Sequence, residues 1–560
     1  MKSLSEGAEK LLKYIFKNRK EVFSGYFNAS LFCYRKALGH VSVDTVKPLL
    51  VELSNAKFLK PAKAVFRSPK YILNERKTED YLNVLKENEN EKIYTQEYRE
   101  SLEDEIKKYK NFVITTAVMG KEANKSFLES IKNYAKRNNA LVLVLPCEDV
   151  ASRGKKAVSI ELSDSLKDFK VVFKDTYLNK NLCLCAIKMS AKQINPLSGL
   201  DRLATTRNAS IIVASPKVFL RYVPNMHYDI PLALMTTGAI TENNYDNDRY
   251  MSKRTSTLAE NDHAYGAIIV EVEDNHIFHF RHVQASKEGS LTDLGINYLP
   301  DGSIEEMRET VMVMGDSHVG YHDKELHEKV MNVARESKVT KVLLHDVFNG
   351  TSVTHHDVGK SITRAMKPQE GKLNLENECL AVKNYIKNIE GKGMEVFIVD
   401  SNHNDHLLRF LQEGRYVTDP INHKFSLKLA VKAIDGVNPL KYAVESLLDF
   451  KSDKVHWLEK DESCKFYGVE CCIHGSIGAN GAKGSLPVYE KGIGNCVTAH
   501  THSAAILRNS YCVGTVGLMN MDYNKGLSSW TRTCCLIYSN GTKQLINFIP
   551  DKDGNYSYKV

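Results

Sequence analysis

The spacing of apolar residues divides the chain into segments of different character. In residues 1–75, apolar positions recur every three to four residues at 8–16, 29–38 and 43–56, which predicts three helices. The segment 57–73 alternates apolar and polar residues, as a two-stranded hairpin does. Three helices followed by a hairpin are typical of a winged helix-turn-helix. We therefore predict a winged-helix-like domain at 1–75.

The next two segments differ from the first and from each other. Residues 76–110 are charged and poor in aliphatic side chains, which suits an exposed linker helix. Between 111 and 300, apolar runs alternate with helical patterns, beginning with a strand–helix–strand unit. We predict a mixed α/β middle domain at 111–300. We find no motif in it that indicates a chemistry.

From residue 305 to 560, strand-like runs again alternate with helical patterns, and residues of metal-binding type follow five of the strands. These residues are Asp316 and His318, Asp346, Asn402 and His403, His474, and His500 and His502. In open α/β sheets, ligands bind beyond the carboxyl ends of the strands, so five strand ends can form one crevice. Of the 19 histidines, 13 lie between residues 310 and 502, a third of the chain. The sequence therefore predicts a metal site there.

The mixture of donors narrows the choice of metal. Carboxylate, imidazole and one amide oxygen suit manganese, iron or zinc, and magnesium fits less well because it prefers oxygen donors alone. We take Mn²⁺ as the first choice for the expected divalent cofactor, with Fe, Zn or Mg as alternatives.

The order D-x-H, D-x-x-N, N-H, H-G, H-x-H is similar to that of the calcineurin-like metallophosphoesterase superfamily, over about residues 305–550. The resemblance implies an α/β fold with a C-terminal two-sheet sandwich. It further implies that His403 is the acid that protonates the leaving oxygen. The implied ligands of one metal are Asp316, His318, Asp346 and His502, and those of the other are Asp346, Asn402, His474 and His500.

The sequence departs from the family pattern at positions where glycine is usual. His345, Ser401 and Ala499 replace glycines, whereas Gly315 is kept. Glycine allows close approach of the backbone, so His345 in particular changes the local geometry or adds a group outside the ligands. All seven candidate ligands and the candidate acid are present, so we expect the site to be catalytically active.

Two features point to DNA as the substrate. Residues 347–350 lack the Asp-Arg-Gly of phosphoprotein phosphatases, and the segment more closely resembles the DNA-repair nuclease branch of the superfamily. Residues 1–75 contain 14 Lys/Arg and 6 Asp/Glu, which accounts for the whole net charge of +8. Clustered basic residues attract phosphate irrespective of sequence. The whole arrangement resembles the pre-early deoxyribonucleases with which T-odd tailed phages destroy host DNA.

We therefore expect a metal-dependent DNA nuclease, and two alternatives stay open. One is a phosphatase or small-molecule phosphodiesterase, and the other is a DNA-binding regulator with a structural metal site. The winged-helix-like domain could equally be a protein–protein adaptor. His355 and His356, in the loop after the second motif, are candidate substrate-binding residues. So is Lys483, in a glycine-rich loop that lacks the Walker ending, so ATP binding does not follow.

The composition sets the expected surroundings. No apolar run approaches the roughly 18 residues that a membrane span needs, and the charged amino terminus has no signal-peptide core. We expect a cytoplasmic protein, in the host cytoplasm if phage-encoded, with DNA and further copies of itself as partners and without a membrane partner. The 12 cysteines form no C-x-x-C pair, so we expect buried thiols.

Overall fold

The computed structural model describes residues 4–17, 43–65, 68–79, 81–82, 96–149, 162–226, 230–245, 253–368, 371–521 and 524–560. The chain divides near Leu102 into two compact units. The architecture is mixed α/β, as predicted, with several multi-stranded sheets in the larger unit. The helix predicted at 29–38 lies outside the described residues.

The first unit is built by two helices and a hairpin. Its elements are α1 (Glu6–Lys17), α2 (Val43–Asn55), β1 (Leu59–Val65) and β2 (Ser68–Leu73). The predicted apolar faces meet in one core, where Leu11, Leu12 and Ile15 of α1 pack against Val46 and Leu50 of α2. The two strands pair antiparallel, so the predicted hairpin is confirmed. The winged-helix interpretation of this unit stays a prediction.

The helices of the larger unit begin with α3 at the boundary between the units. They are α3 (Gln96–Ile106), α4 (Lys125–Arg137), α5 (Asp201–Arg207), α6 (Lys253–Asn261), α7 (Lys324–Glu336), α8 (Ser361–Met366), α9 (Leu375–Glu390), α10 (Asn404–Gln412), α11 (His423–Ile434), α12 (Pro439–Tyr442) and α13 (Leu486–Gly492). Among them, α4, α7 and α9 confirm helical patterns that the sequence places between strand-like runs. Short acceptor side chains cap them: Asn124, Asp323 and Asn374 each accept a hydrogen bond from a first-turn N–H.

A five-stranded sheet opens the larger unit. Its strands, in spatial order, are β13 (Phe278–Gln284), β12 (Gly266–Val272), β3 (Asn111–Val118), β4 (Ala140–Cys147) and β5 (Lys170–Val171). The predicted strand–helix–strand unit is confirmed, because β3 and β4 pair parallel on either side of α4 in the chain. β12 and β13 pair antiparallel as a hairpin.

A ten-stranded sheet combines distant parts of the sequence. In spatial order its strands are β21 (Lys465–Phe466), β22 (Val469–Glu470), β23 (Cys496–Thr498), β25 (Ser510–Cys512), β24 (Ala505–Leu507), β9 (Phe219–Val223), β11 (Leu232–Thr236), β8 (Ser210–Val213), β7 (Leu182–Cys185) and β6 (Thr176–Asn179). The junction is the antiparallel pair β24–β9, with Ile506 opposite Leu220. Segments that we assigned to a middle and a C-terminal domain therefore hydrogen-bond in one sheet.

A six-stranded sheet carries the first three motifs. Its strands, in order, are β20 (Val455–Leu458), β19 (Glu395–Val399), β18 (Val339–Leu344), β17 (Thr310–Val313), β27 (Thr533–Ile537) and β28 (Lys543–Asn547). The first four strands are parallel to one another, so their carboxyl ends lie on one edge. Side chains of α7, α9 and α10 pack with this sheet in a continuous apolar core.

Shorter strands complete the larger unit. They are β14 (Leu291–Asp293), β15 (Ile296–Tyr298) and β16 (Ile304–Glu306) in one sheet, and the pairs β10 (Asn225–Met226) with β26 (Leu527–Ser528) and β29 (Ile549–Pro550) with β30 (Tyr556–Ser557). Within the described ranges, each helix is too short or too polar to cross a lipid bilayer. The cysteines there are free thiols, and all except Cys464 are buried.

A buried arginine connects three sheets of the larger unit. Arg281 on β13 is 3% exposed and forms a bidentate ion pair with Asp293 on β14, with N–O distances of 2.7 and 2.9 Å. It also contacts Glu271 on β12 at 2.6 Å. Gln544 on β28 and Tyr134 on α4 donate further hydrogen bonds to the Asp293 carboxylate. The carboxylate thus anchors elements that are far apart in sequence.

We expect Arg281→Ala to destabilise the larger unit by about 3–5 kcal/mol, because it leaves the buried Asp293 carboxylate without its cation. Chemical denaturation measures this loss. The control is Arg335→Ala, which removes an exposed arginine whose nearest carboxylate oxygen, on Glu336, lies 3.9 Å away, and should cost well under about 1 kcal/mol. Similar losses in the two variants would contradict the anchoring role.

Candidate metal centre

The predicted ligands lie where edges of two sheets meet. Asp316 and His318 follow β17, Asp346 follows β18, and Asn402 follows β19, all at the carboxyl edge of the six-stranded sheet. His474 follows β22, and His500 and His502 follow β23, both parallel strands of the ten-stranded sheet. Backbone contacts join the two edges, because Asp316 N–H donates to the carbonyl of Gly514, which follows β25. The predicted convergence of five strand ends is therefore present.

Gly315 is required at this junction by close packing. A Cβ atom at position 315 would lie 2.7 Å from the carbonyl oxygen of Gly514, closer than real side chains approach. Gly514 is equally tight, since a Cβ there would lie 2.1 Å from the carbonyl oxygen of Thr531. The glycine that the sequence shares with the family is thus explained by the contact between backbones.

Four of the ligand candidates form one buried group. The potential ligand atoms of Asp316, His318, Asp346 and His502 lie within 4.8 Å of one another. His502 Nε2 lies 3.0 Å from Asp316 Oδ2 and 3.0 Å from His318 Nε2. His318 Nε2 lies 3.7 Å from Asp346 Oδ2. Two carboxylates and two imidazoles thus face a common point, in the grouping that the sequence predicts for one metal.

A second group shares one carboxylate with the first. Potential ligand atoms of Asp346, His474 and His500 lie within 4.8 Å of one another. His474 Nε2 lies 3.3 Å from Asp346 Oδ2 and 2.9 Å from Asn402 Oδ1, which brings the predicted amide ligand to the same place. Asp346 belongs to both groups, the position that the sequence assigns to it.

The hydrogen bonding of these groups suits a cation. Asp316 is fully buried, its Oδ1 has no hydrogen-bond partner among the described residues, and its Oδ2 lies beside Nε2 of His502, itself a predicted ligand. Oδ1 of Asp346, Nδ1 of His474 and Nδ1 of His502 also lack a hydrogen-bond partner among the described residues. Burying an ionised carboxylate without compensation costs several kcal/mol, so such groups are paired or bind metals. The donors present therefore fit a divalent metal ion.

The charges of the site favour the metal-binding protonation states of Asp346, Asp316 and His318, whereas the pKa of His474 is raised, because the lowering effect of burial is outweighed by the Asp346 and Asp316 carboxylates. Burial raises the pKa of Asp346, but the charges of His474 and His403 outweigh it and hold this pKa well below its usual range. Burial also raises the pKa of Asp316, and His502 lowers it to a greater extent. Burial, with the charge of His403, lowers the pKa of His318 to about 3, which keeps its imidazole neutral. Ionised carboxylates and neutral imidazoles are the forms that bind metals.

The backbone at the ligands is in a sparsely populated conformation. His318 and Asp346 each have φ of 43°, and His500 and His502 have φ of 71° and 56°. Residues with a Cβ atom rarely adopt positive φ, and the strain costs about 1–3 kcal/mol at each. Four ligand candidates in this region indicate that the fold holds these side chains in place at a cost in stability.

Asn349 is a site residue that our sequence reasoning missed. Its side-chain oxygen accepts a hydrogen bond from Nδ1 of His318 at 3.0 Å, and its carbonyl oxygen accepts one from Nδ1 of His403 at 2.8 Å. Because oxygen acceptors require N–H at Nδ1, Nε2 of His318 is the nitrogen left to bind a metal, and Nε2 of His403 is the nitrogen left for proton transfer. Our sequence reasoning included position 349 in the D-x-x-N motif but assigned no role to its side chain. The signal for that role is its place three residues after Asp346, in the second motif.

Two further aromatic rings pack on the ligands. His345, the residue in place of a family glycine, is fully buried and stacks on His474 with ring centroids 5.6 Å apart. Neither nitrogen of His345 has a hydrogen-bond partner among the described residues. Trp530 packs edge-on against His502 at 4.2 Å. Sequence reasoning did not identify Trp530, since it lies in a segment without a motif.

The three candidate substrate-binding residues are in different surroundings. His355 and His356 stack on each other and on His406, whose ring centroid lies 5.0 Å from that of His403. These histidines therefore extend outward from the metal centre. Lys483 is exposed in the loop after His474, and no contact between its side chain and the ligands is found in the described part of the chain.

The chain has 28% identity over 475 residues with Protein A1 of Escherichia phage T5, which covers 81% of this chain and 84% of that protein. No protein-family model matches the sequence. No solved structure matches it either.

We expect Mn²⁺ to stabilise the protein through Asp346. A metal that binds only the folded state adds about 2.7 kcal/mol at a concentration 100 times its Kd, so thermal unfolding should shift upward by a few degrees. Asp346→Asn should abolish that shift. Without metal, the variant should be less stable than the parent at neutral pH, because the charges of His474 and His403 stabilise the ionised Asp346 carboxylate in the folded state.

The control is Asp405→Asn, which removes an exposed carboxylate that pairs with Lys460. It should keep the full Mn²⁺-induced shift in unfolding temperature. An unchanged shift in Asp346→Asn would show that the metal binds elsewhere.

Proposed function

We propose that this protein is a metal-dependent deoxyribonuclease that hydrolyses phosphodiester bonds, with a metallophosphoesterase-type pair of divalent ions. The observation that carries the proposal is the sharing of the buried Asp346 carboxylate by two groups of potential metal ligands. The proposed first ion is held by Asp316, His318, Asp346 and His502. The proposed second is held by Asp346, Asn402, His474 and His500.

Two bound divalent ions would lower the pKa of a water and neutralise the charge of the phosphodiester. The chain's own contribution is a set of preorganised donors on rigid strand ends. Asn402 contributes a neutral amide, which limits the negative charge that faces an anionic substrate. Because Nδ1 of His318 and of His403 is hydrogen-bonded to Asn349, Nε2 of each ring points away from Asn349.

His403 has the position of a general acid in this proposal. Its ring lies 4.6 Å from that of the ligand His318, centroid to centroid, so it is next to the ligands without being one. Its Nδ1 is occupied by the carbonyl of Asn349, so Nε2 is the nitrogen that would hold the proton for the leaving oxygen. Such proton transfer contributes typically 10²–10⁴-fold in rate.

The choice of DNA rests on sequence and on the comparison. The net charge of +8 comes from residues 1–75, which we propose as a winged-helix-like DNA-binding domain. The similarity to a phage T5 protein agrees with a role in a phage, and we propose degradation of host DNA in the host cytoplasm. We further propose Mn²⁺ as the working metal and a homo-oligomer as the working assembly.

We expect His403→Ala to lower the rate of DNA hydrolysis by about 10²–10⁴-fold while the Mn²⁺-induced stabilisation is kept. A phosphodiester with a nitrophenolate leaving group should lose much less, because that leaving group departs without a proton. Rates on plasmid DNA and on the nitrophenyl ester, measured with the same enzyme, give the ratio.

The matched control is His456→Ala, which removes a half-exposed imidazole from β20 of the same sheet. It should leave both rates unchanged. Equal losses on both substrates in His403→Ala would contradict the acid role. Absence of DNA cleavage by the parent protein under any divalent ion would contradict the nuclease proposal.

We expect a chain that begins at residue 96, which keeps α3 whole, to bind DNA more weakly and with a flatter dependence on salt. The reason is that each lost phosphate contact reduces the slope of log K against log salt by about 0.9 for duplex DNA. Hydrolysis of the nitrophenyl ester should be unaffected. Affinity measured at several salt concentrations tests this, and an unchanged slope would show that DNA contacts lie in the larger unit.

A further inference from the structure

A cavity of about 420 Å³ lies in the larger unit, apart from the predicted ligands. Pockets for small ligands typically have volumes of a few hundred Å³. Five aromatic rings line this cavity: Tyr222, Phe278, Phe280, Trp530 and Phe548.

Trp530 places this cavity beside the metal centre. One side of the indole packs on the imidazole of His502, and the same residue lines the cavity. The N–H of the next residue, Thr531, donates to the carbonyl of His502, so the backbone is fixed as well. A group bound in the cavity would therefore be separated from a predicted metal ligand by a single side chain.

The polar groups of the wall suit a heteroaromatic ring with N–H donors. Asn225 lines the cavity, and its amide nitrogen is fixed by a 2.9 Å hydrogen bond to the carbonyl of Ile230. Its Oδ1 is buried and has no hydrogen-bond partner among the described residues. A buried acceptor without a donor costs about 1–3 kcal/mol, and a donor on a ligand would remove that cost.

One cation is also on the wall. Arg532 lines the cavity with its guanidinium carbon 5.3 Å from the ring centroid of Tyr556. In the part of the chain that the structure describes, no carboxylate lies within ion-pair distance of Arg532. A guanidinium without a carboxylate partner beside an aromatic cavity suits a phosphate attached to the stacked ring.

We propose that this cavity binds an unpaired nucleotide, with the base stacked on its aromatic wall and the phosphate near Arg532. The inference rests on the proposed nuclease function and adds a substrate class to it: a strand with an unpaired base next to the scissile bond. Aromatic side chains bind bases of any sequence because every base has a π face. The occupant is either a nucleotide of a DNA strand or a free mononucleotide, and the two share this chemistry.

Trp530 provides a direct signal. The chain has only one other tryptophan, Trp457, so Trp457→Phe isolates the fluorescence of Trp530. Full-length protein in EDTA is titrated with thymidine, thymidine monophosphate, an oligo(dT) octamer and a blunt duplex. We expect saturable quenching by the monophosphate and the octamer and little by the duplex. Tighter binding of the octamer identifies the strand as the occupant, and equal affinity identifies the mononucleotide.

Two variants test the location. Ile230→Tyr, at a lining residue that is 45% exposed, should fill the cavity and weaken binding about 5- to 100-fold, the range for loss of one stacking contact. Ile493→Tyr, exposed to the same 45% and outside the cavity wall, is its control and should bind normally. Arg532→Gln should weaken binding of the monophosphate and leave that of thymidine unchanged.

Absence of saturable quenching by any single-stranded ligand, or equal quenching in Ile230→Tyr and the parent, would overturn the proposal. If Trp457→Phe does not fold, the same titrations in the parent background compare Ile230→Tyr with Ile493→Tyr, with Trp457 as a constant signal. The assay contains no metal and no catalysis. Quenching without DNA cleavage would therefore contradict the nuclease proposal alone, and cleavage without quenching would contradict only the nucleotide site.

Discussion

The structure of the larger unit depends on two buried carboxylates held close together. Asp316 and Asp346 are almost completely buried, and their potential ligand oxygens lie within 4.8 Å of one another. Two like charges at such a distance repel, and burial removes the water that would screen them. Neighbouring imidazoles offset part of this cost through His502 and His474. A bound cation would offset the rest.

The surrounding fold pays for this geometry in several places. Left-handed backbone at four ligand candidates costs conformational energy, and tight packing at Gly315 and Gly514 permits no side chain. Regular strands end just before each ligand, so the strained residues lie in short connections that rigid sheets hold. Asn349 then fixes two imidazole orientations with a single residue. The regular strands thus provide the stability, and the backbone strain lies in the candidate metal ligands.

Much of this could be predicted from the sequence because it is local. Amphipathic spacing gave the helices α1, α4, α7 and α9, and runs of apolar residues gave the strands before each ligand. The grouping around Asp346 was implied by the resemblance of the motifs to those of the metallophosphoesterases. Contacts between residues far apart in sequence could not be predicted in this way. Trp530 packs on His502 only in the folded chain. Likewise, only folding brings Arg281 and Gln544 to the same carboxylate, that of Asp293. The pairing of β24 with β9 likewise has no local signal, since both are short apolar runs.

That pairing bears on how the molecule could be divided or reused. His474, His500 and His502 follow strands of a sheet that continues across β24 into β9, β11, β8 and β7, which come from the middle of the chain. A fragment limited to the motif-bearing residues would leave β24 with an unpaired edge, where backbone groups readily associate with other chains. The segment that carries the predicted ligands therefore cannot be transferred as an independent domain. Grafting it into another protein, or exchanging it by recombination, requires the whole of the larger unit to move together.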